Sequence, residues 1–143
     1  MYKRILVPLD QSDLAEQALP HAVAIAQAMH ARVTLVGVVD VLDREAAHEA
    51  GVTLHWEAQI EALGAYLQAL CQRLGDENVL CHGEVLKGDV AGEIMRFAEE
   101  EHCDLIVMAT HGRSGLAKWV HGSLADQLVA QSPAPILLVR GEE

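Results

Sequence analysis

Five short apolar segments rich in valine, isoleucine and leucine recur along the chain, separated by longer stretches whose apolar residues follow helical spacing. The apolar segments are the length of buried strands and are predicted at residues 3–8, 32–39, 78–86, 104–109 and 135–140. The intervening stretches predict helices at residues 13–30, 54–74, 90–101 and 123–131. Regular alternation of this kind requires parallel strands joined by helical crossovers. The sequence therefore predicts an α/β fold, an open parallel five-stranded sheet with helices on both faces, as a single domain over residues 1–143.

Local signals define the ends of these helices. Pro20 lies inside the first predicted helix and is expected either to kink it or to divide it. Asp13 followed by Glu16 resembles a capping box at its start. Gly75-Asp76 indicates the end of the second helix, and Ser123 is well placed as the N-cap of the last one.

The segment between the fourth strand and the last helix has the composition of an anion-binding loop. Between Asp104 and Asp126 it has no carboxylate, but it has three glycines, three hydroxyl side chains and two bases: Gly112, Gly115, Gly122, Thr110, Ser114, Ser123, Arg113 and Lys118. Glycines let main-chain amides approach a ligand, and a helix N-terminus adds unpaired donors. The segment predicts a phosphate site; the alternative is a surface loop whose glycines only form turns.

Asp10 follows the first strand and is the second candidate site residue. In open α/β sheets, ligands bind beyond the carboxyl ends of the strands where the strand order reverses. If the order is 3-2-1-4-5, Asp10 and the glycine segment flank one crevice. Asp10 would then contact a ribose hydroxyl or help to hold a divalent ion that bridges phosphates. The alternative is a local Asx-type turn that caps the first helix.

Charge and composition exclude several classes of partner. A net charge of −11 argues against nucleic acid or an anionic membrane surface as a general partner. No apolar run is long enough for a signal peptide or a membrane span, so a cytoplasmic protein is expected. The three cysteines, Cys71, Cys81 and Cys103, lack metal-site spacing and predict buried free thiols rather than a disulfide framework.

The motifs of several enzyme classes are missing from the sequence. It contains neither GxxxxGK[ST] nor GxGxxG, GxSxG or HExxH. His111 and His121 border the glycine segment, but the sequence shows no partner that would make either a general base. Binding is therefore favoured over turnover.

Two motifs resemble the universal stress protein family. V-P-L-D stands at residues 7–10, and the family pattern G-x2-G-x9-G-[ST] is matched by Gly112, nine further residues, and then Gly122-Ser123. The closing S-P-A-P-I-L-L-V-R resembles the family's last strand. Ala109 replaces the first glycine of the pattern, a change that the backbone accepts if φ stays negative.

The resemblance implies a Rossmann-like sheet of the adenine nucleotide alpha hydrolase type, with strand order 3-2-1-4-5, and a homodimer paired through the last strand. It implies ATP, with magnesium, as the ligand: adenine near the ends of strands 1 and 2, ribose near Asp10, and phosphates on the glycine segment. The implied binding residues are Pro8, Leu9, Asp10, Val38, Met108, Ala109, His111, Gly112, Gly122, Ser123 and Leu124, while Arg113 lies in the loop without being fixed by the pattern.

Three functions remain open at this point. The first is an ATP-binding stress-response module with at most slow hydrolysis. The second, prompted by Ala109, is a dimeric interaction module of the same fold that binds no nucleotide. The third is an ATP-dependent enzyme, against which the missing Walker lysine argues.

Overall fold

The computed structural model describes residues 1–41, 52–111 and 122–141. In chain order, the elements are β1 (Arg4–Pro8), α1 (Asp13–Glu16), α2 (Leu19–Met29), β2 (Arg32–Val39), α3 (Val52–Asp76), β3 (Cys81–Lys87), α4 (Val90–Glu100), β4 (Leu105–His111), α5 (Gly122–Gln131) and β5 (Ile136–Gly141). Among the described helices, none combines the length and the apolar character needed to cross a bilayer.

The five strands form one parallel sheet of order β3-β2-β1-β4-β5. This confirms the predicted fold class and strand order. The central strand β1 is buried along Ile5–Pro8, because helices cover both of its faces. A parallel strand that is buried on both faces has a continuous apolar sequence, which is why this strand could be predicted from the sequence.

Alternation along β1 divides the core into two layers. Ile5 and Val7 belong to the layer beneath α1, α2 and α3, and Leu6 belongs to the layer beneath α4 and α5. Successive strand residues point to opposite faces, so each strand contributes to both layers. Among the buried core residues that the structure describes, Phe97 is the one aromatic side chain, and most of the others are aliphatic.

Pro20 divides the first predicted helix into α1 and α2. It lies in the first turn of α2, where a missing amide hydrogen removes no helical hydrogen bond. The interpretation of residues 13–30 as two helices is thus confirmed over a kinked single one.

Two of the predicted helix signals are wrong in detail, and one is confirmed. Ser12, not Asp13, is the N-cap of α1, and its Oγ accepts a hydrogen bond from the Ala15 amide at 3.0 Å. Helix α3 ends at Asp76, as the Gly75-Asp76 signal predicted. Helix α5 begins at Gly122, so Ser123 is within its first turn and is not its N-cap.

The connection from α3 to β3 is longer than the sequence indicated. Val79 N donates to Leu74 O at 3.0 Å, and Asn78 adopts φ 63°, so the chain reverses there. Strand β3 therefore begins at Cys81, three residues after the predicted start at 78.

The cysteines are all free thiols, but their burial differs from the prediction. Cys103 is buried, as expected. Cys71 and Cys81 are only half-buried, so the prediction of full burial is wrong for these two.

Candidate functional site

The loop that leaves β1 is anchored to the neighbouring strand. The Leu9 amide donates to Val36 O at 2.8 Å, and the Leu9 side chain is fully buried in the core. Pro8 is also buried. With its amide engaged and its side chain enclosed, Leu9 has only its carbonyl oxygen left for a ligand, which would have to displace the atoms that cover it because the whole residue is 0% exposed. A main-chain carbonyl can accept a hydrogen bond from the exocyclic amino group of a base such as adenine.

Asp10 organises the turn that starts α1. Its Oδ1 accepts hydrogen bonds from the Ser12 amide at 3.0 Å and from the Ser12 hydroxyl at 2.5 Å. Gln11, between them, adopts φ 70°. Asp10 therefore forms the predicted Asx-type turn but does not cap the first helix, because the N-cap of α1 is Ser12. The same bonds hold the half-buried carboxylate in one orientation, which is what a ribose or metal contact also needs.

Helix α1 reaches across the carboxyl edge of the sheet. Its Leu14 packs against Gly141 at the end of β5, where an added Cβ would overlap with the leucine side chain. The end of β4 lies between β1 and β5 in the sheet. The Asp10 turn is thus held beside the carboxyl end of β4.

The predicted residues at the end of β4 are buried on opposite faces of the sheet. Met108 packs in the layer beneath α4 and α5, and Ala109 in the layer beneath α1, α2 and α3. Ala109 is 1% exposed and has a negative φ, so its methyl group fills core space without backbone strain. The expectation that alanine fits at this position is confirmed for the backbone.

Val38 and Leu124 both belong to the layer beneath α4 and α5, where both are buried. They lie at the end of β2 and in the first turn of α5. Each side chain can line an apolar wall of a crevice, but neither is exposed to solvent.

The centre of the predicted phosphate site lies outside the described residues. This applies to Gly112 and Arg113, and the side chains of His111 and Ser123 are likewise outside them, while Gly122 is described only as the first residue of α5. The backbone of His111 pairs with Gly141 at the end of β4, and α5 starts at Gly122. The two ends of the glycine segment are thereby defined, and both belong to the edge that carries Asp10.

Acidic residues gather where β1 leads into α1. The Tyr66 hydroxyl donates to Glu16 Oε2 at 2.6 Å, and Arg73 Nη1 lies 3.8 Å from Glu16 Oε1. Burial raises the pKa of Tyr66, and the hydrogen bond to Glu16 together with the charges of Glu16, Asp10 and Asp13 raises it further. Negative potential here favours a hydroxyl group or a cation over a phosphate.

Tyr66 was not identified from the sequence, because it is fifty positions from Glu16 and carries no motif. Helix α3 brings it to α1 only in the folded chain. In the part of the chain that the structure describes, no cluster of three or more His, Cys, Asp or Glu side chains could hold a metal ion.

A cavity of about 360 Å³ lies at the opposite end of the sheet. It is lined in part by Arg4, Arg32 and Thr34, at the amino-terminal ends of β1 and β2. The Arg4 guanidinium already donates to Glu101 O at 2.9 Å. This cavity is separate from the carboxyl edge where the predicted site residues meet.

Comparisons with known proteins relate this chain to one protein family. The model of the universal stress protein family matches residues 1–140. Universal stress protein MJ0531 of Methanocaldococcus jannaschii is 35% identical over 98% of this chain and 83% of its own length. A universal stress protein of Thermus aquaticus is also 35% identical, over 98% of this chain and all of its own length.

Solved structures show the same architecture. That of protein MJ0577 superposes with a TM-score of 0.84 at 29% identity, covering 100% of this chain and 99% of that one. Universal stress proteins in complex with cAMP and, from Archaeoglobus fulgidus, with dAMP share the fold at TM-scores of 0.66 and 0.68, each at 19% identity and at least 97% coverage of both chains. This chain therefore belongs to the universal stress protein family.

Proposed function

We propose that this universal stress protein binds ATP in the crevice between the carboxyl ends of β1 and β4. One observation carries the proposal: the strand order brings the Asp10 turn beside the two ends of the glycine segment, at the point where the order reverses. Family relatives of this fold in complex with the adenine nucleotides cAMP and dAMP add support.

The described residues suggest which residue contacts each part of the ATP molecule. The Leu9 carbonyl accepts from the adenine amino group, and Val38 with Met108 forms apolar walls beside the base. Asp10, held by Ser12, accepts from a ribose hydroxyl. Main-chain groups from Pro8 and Ala109 complete the edge of the crevice.

The phosphates are assigned to the glycine segment. Amides of His111, Gly112, Gly122 and Ser123 donate to them, Leu124 supports the first turn of α5, and Arg113 supplies positive charge. Magnesium enters with ATP, held by phosphate oxygens and Asp10. No residue is assigned as a general base, so the proposed role is a nucleotide-dependent regulatory response with at most slow hydrolysis, in the cytoplasm.

Equilibrium dialysis with labelled ATP and magnesium tests this proposal. Binding at micromolar to millimolar ATP is expected, together with a melting temperature that rises by several degrees at saturating nucleotide. Gly122→Asp would place a carboxylate among the phosphates and abolish both effects. The matched control is Gly75→Asp, a position in α3 with no neighbouring atom within 4 Å of an added Cβ. Absence of binding at millimolar ATP with magnesium would refute the proposal.

The alternative function is a dimeric interaction module without nucleotide. Its support is the exposed apolar surface on the edge strand β5 and on α5, at Leu137, Leu138 and Val129. We propose that this surface forms a homodimer through β5, whether or not ATP binds. If the chain dimerises but ATP changes neither its melting temperature nor its association, the alternative is the correct one.

A further inference from the structure

Two cysteines that the nucleotide site does not use lie in direct contact. Cys71 is in α3 and Cys81 is the first residue of β3, and their Sγ atoms are 2.7 Å apart. Both thiols are half-buried against the core layer beneath α1, α2 and α3. The contact is fixed by packing on both sides, since Leu67 and Leu70 of α3 are buried and β3 pairs with β2 from Cys81 onward.

The local backbone leaves room for the pair. Gly83 follows Cys81 on the same face of β3, and an added Cβ there would lie 3.0 Å from the Leu67 Cβ and 3.8 Å from the Cys71 sulfur. Glycine at this position lets α3 approach the strand closely enough for the sulfurs to meet.

Both cysteines are partly exposed at the surface. A surface cavity of about 330 Å³ lies between α3 and β3, lined by the two cysteines together with Gly64, Gln68 and Val85. Strand β3 is an edge strand, so no further strand covers this side in the described sheet. A small oxidant can therefore reach the pair without unfolding of the core.

We propose that Cys71 and Cys81 are a reversible redox site, in which a low-molecular-weight disulfide oxidises the pair to an intramolecular disulfide that links α3 to β3. A disulfide bond is about 2.0 Å long, so the sulfurs need to approach by roughly 0.7 Å only. This movement is within the freedom of two side chains. The site is distinct from the nucleotide crevice.

The reaction proceeds by two thiol–disulfide exchanges. The Cys71 thiolate attacks one sulfur of the oxidant R–S–S–R, forming a Cys71–S–S–R mixed disulfide and releasing R–S⁻, which takes up the proton that Cys71 lost. The Cys81 thiolate then attacks the Cys71 sulfur, and the second R–S⁻ leaves and takes up the Cys81 proton. The cysteine pair loses two electrons and two protons, and one R–S–S–R becomes two R–SH.

The same exchange balances with Cys81 as the first nucleophile. Burial raises the pKa of both thiols. A reduced glutathione pool keeps such a pair as thiols, and bond formation follows when the pool becomes oxidised. The pair then reports the redox state of its compartment.

Peptide mapping after oxidation tests the proposal directly. The reduced full chain is incubated with oxidised glutathione, the remaining thiols are alkylated, and the protein is digested with trypsin without reductant. Cleavage after Arg73 separates the two cysteines into residues 45–73 and 74–87, with Cys103 in residues 97–113. The expected product is a disulfide-linked pair of the first two peptides, with Cys103 alkylated.

Oxidation is also expected to stabilise the fold. The bond closes a loop between cysteines ten positions apart, so the melting temperature should rise by about 5–10 °C and return on reduction with dithiothreitol. Cys71→Ser and Cys81→Ser should abolish the linked peptides and the shift, leaving glutathione on the remaining cysteine. Cys103→Ser is the matched control and should retain both.

The proposal is overturned if wild-type protein ends with both cysteines alkylated, with glutathione persisting on either, or with the bond joining two chains. It is equally overturned if Cys103 forms the bond. These results come from wild type and Cys103→Ser, so they decide the question even if the other serine variants fail to fold.

Discussion

At the scale of single residues, the Tyr66–Glu16 hydrogen bond joins α3 to α1 beside the Asp10 turn. The acceptor side chain is 25% exposed, so removing the donor leaves a partly buried carboxylate with less solvation than water would give it. Tyr66→Phe is expected to lower the free energy of unfolding by about 1–2 kcal/mol, measured by urea denaturation at neutral pH. In a double-mutant cycle with Glu16→Ala, additive effects would contradict a direct interaction.

The same residue predicts a dependence on alkaline pH. Burial and the neighbouring carboxylates raise the pKa of Tyr66 above its usual value of 10.0. Above that pH, the unfolded chain loses the phenolic proton while the folded protein retains it, so stability falls as pH rises. The stability difference between wild type and Tyr66→Phe should therefore shrink above pH 10. A difference that stays constant up to alkaline unfolding would contradict this assignment.

At the scale of secondary structure elements, two helices have similar N-caps, and comparing them distinguishes an effect on stability from an effect on ATP binding. Ser12 caps α1 and binds Asp10, whereas Asp89 caps α4 by accepting from the Gly92 amide at 2.9 Å. Ser12→Ala and Asp89→Ala should each cost about 1 kcal/mol of stability. Only Ser12→Ala should weaken ATP binding, because it also removes the hydroxyl hydrogen bond that helps to orient Asp10. Equal ATP affinities in calorimetric titrations of the two variants would contradict a role for the Asp10 turn.

Alanine substitutions at two glycines, one packed against α3 and one within it, are expected to change the stability of the protein in opposite directions. An added Cβ at Gly37 in β2 would lie 2.6 Å from the Leu63 side chain, whereas Gly75 in α3 has open space around it. Gly37→Ala is expected to destabilise the protein by about 1–3 kcal/mol through overpacking. Gly75→Ala is expected to stabilise it by about 0.4–1 kcal/mol, because alanine loses less backbone entropy on folding. Chemical denaturation of both variants checks the signs.

The elements also show what the sequence could predict. All five strands were predictable: the inner strands β1, β2 and β4 because buried parallel strands are apolar runs, and the less buried edge strands β3 and β5 because their segments also carry valine and leucine. The start of β3 was not predictable, since residues 78–80 belong to the reversal after α3. Pro20 allowed two interpretations until its place in the first turn of α2 was known. The Tyr66–Glu16 and Cys71–Cys81 contacts carry no sequence signal, because tertiary packing alone brings those side chains together. The phosphate contacts of residues 112–121 stay a prediction.

At the scale of the whole molecule, the exposed apolar side chains on β5 predict the mode of assembly. Leu137 and Leu138 are 36% and 39% exposed on a strand whose outer edge has no partner strand in the described sheet. An unpaired strand edge with apolar neighbours is a site of pairing between chains. Since each chain carries the same edge, a two-fold homodimer would cover both.

Leu138→Lys tests this assembly by sedimentation velocity. The wild type is expected to sediment as a dimer, and the variant as a monomer at micromolar protein, because a lysine at the interface would be desolvated without a partner. Leu80→Lys is the matched control: Leu80 is 71% exposed and precedes β3 at the opposite edge of the sheet, so its substitution should leave the dimer intact. A monomeric wild type would refute the dimer. Dissociation by Leu80→Lys with no effect of Leu138→Lys would instead place the interface at β3, beside the cysteine pair.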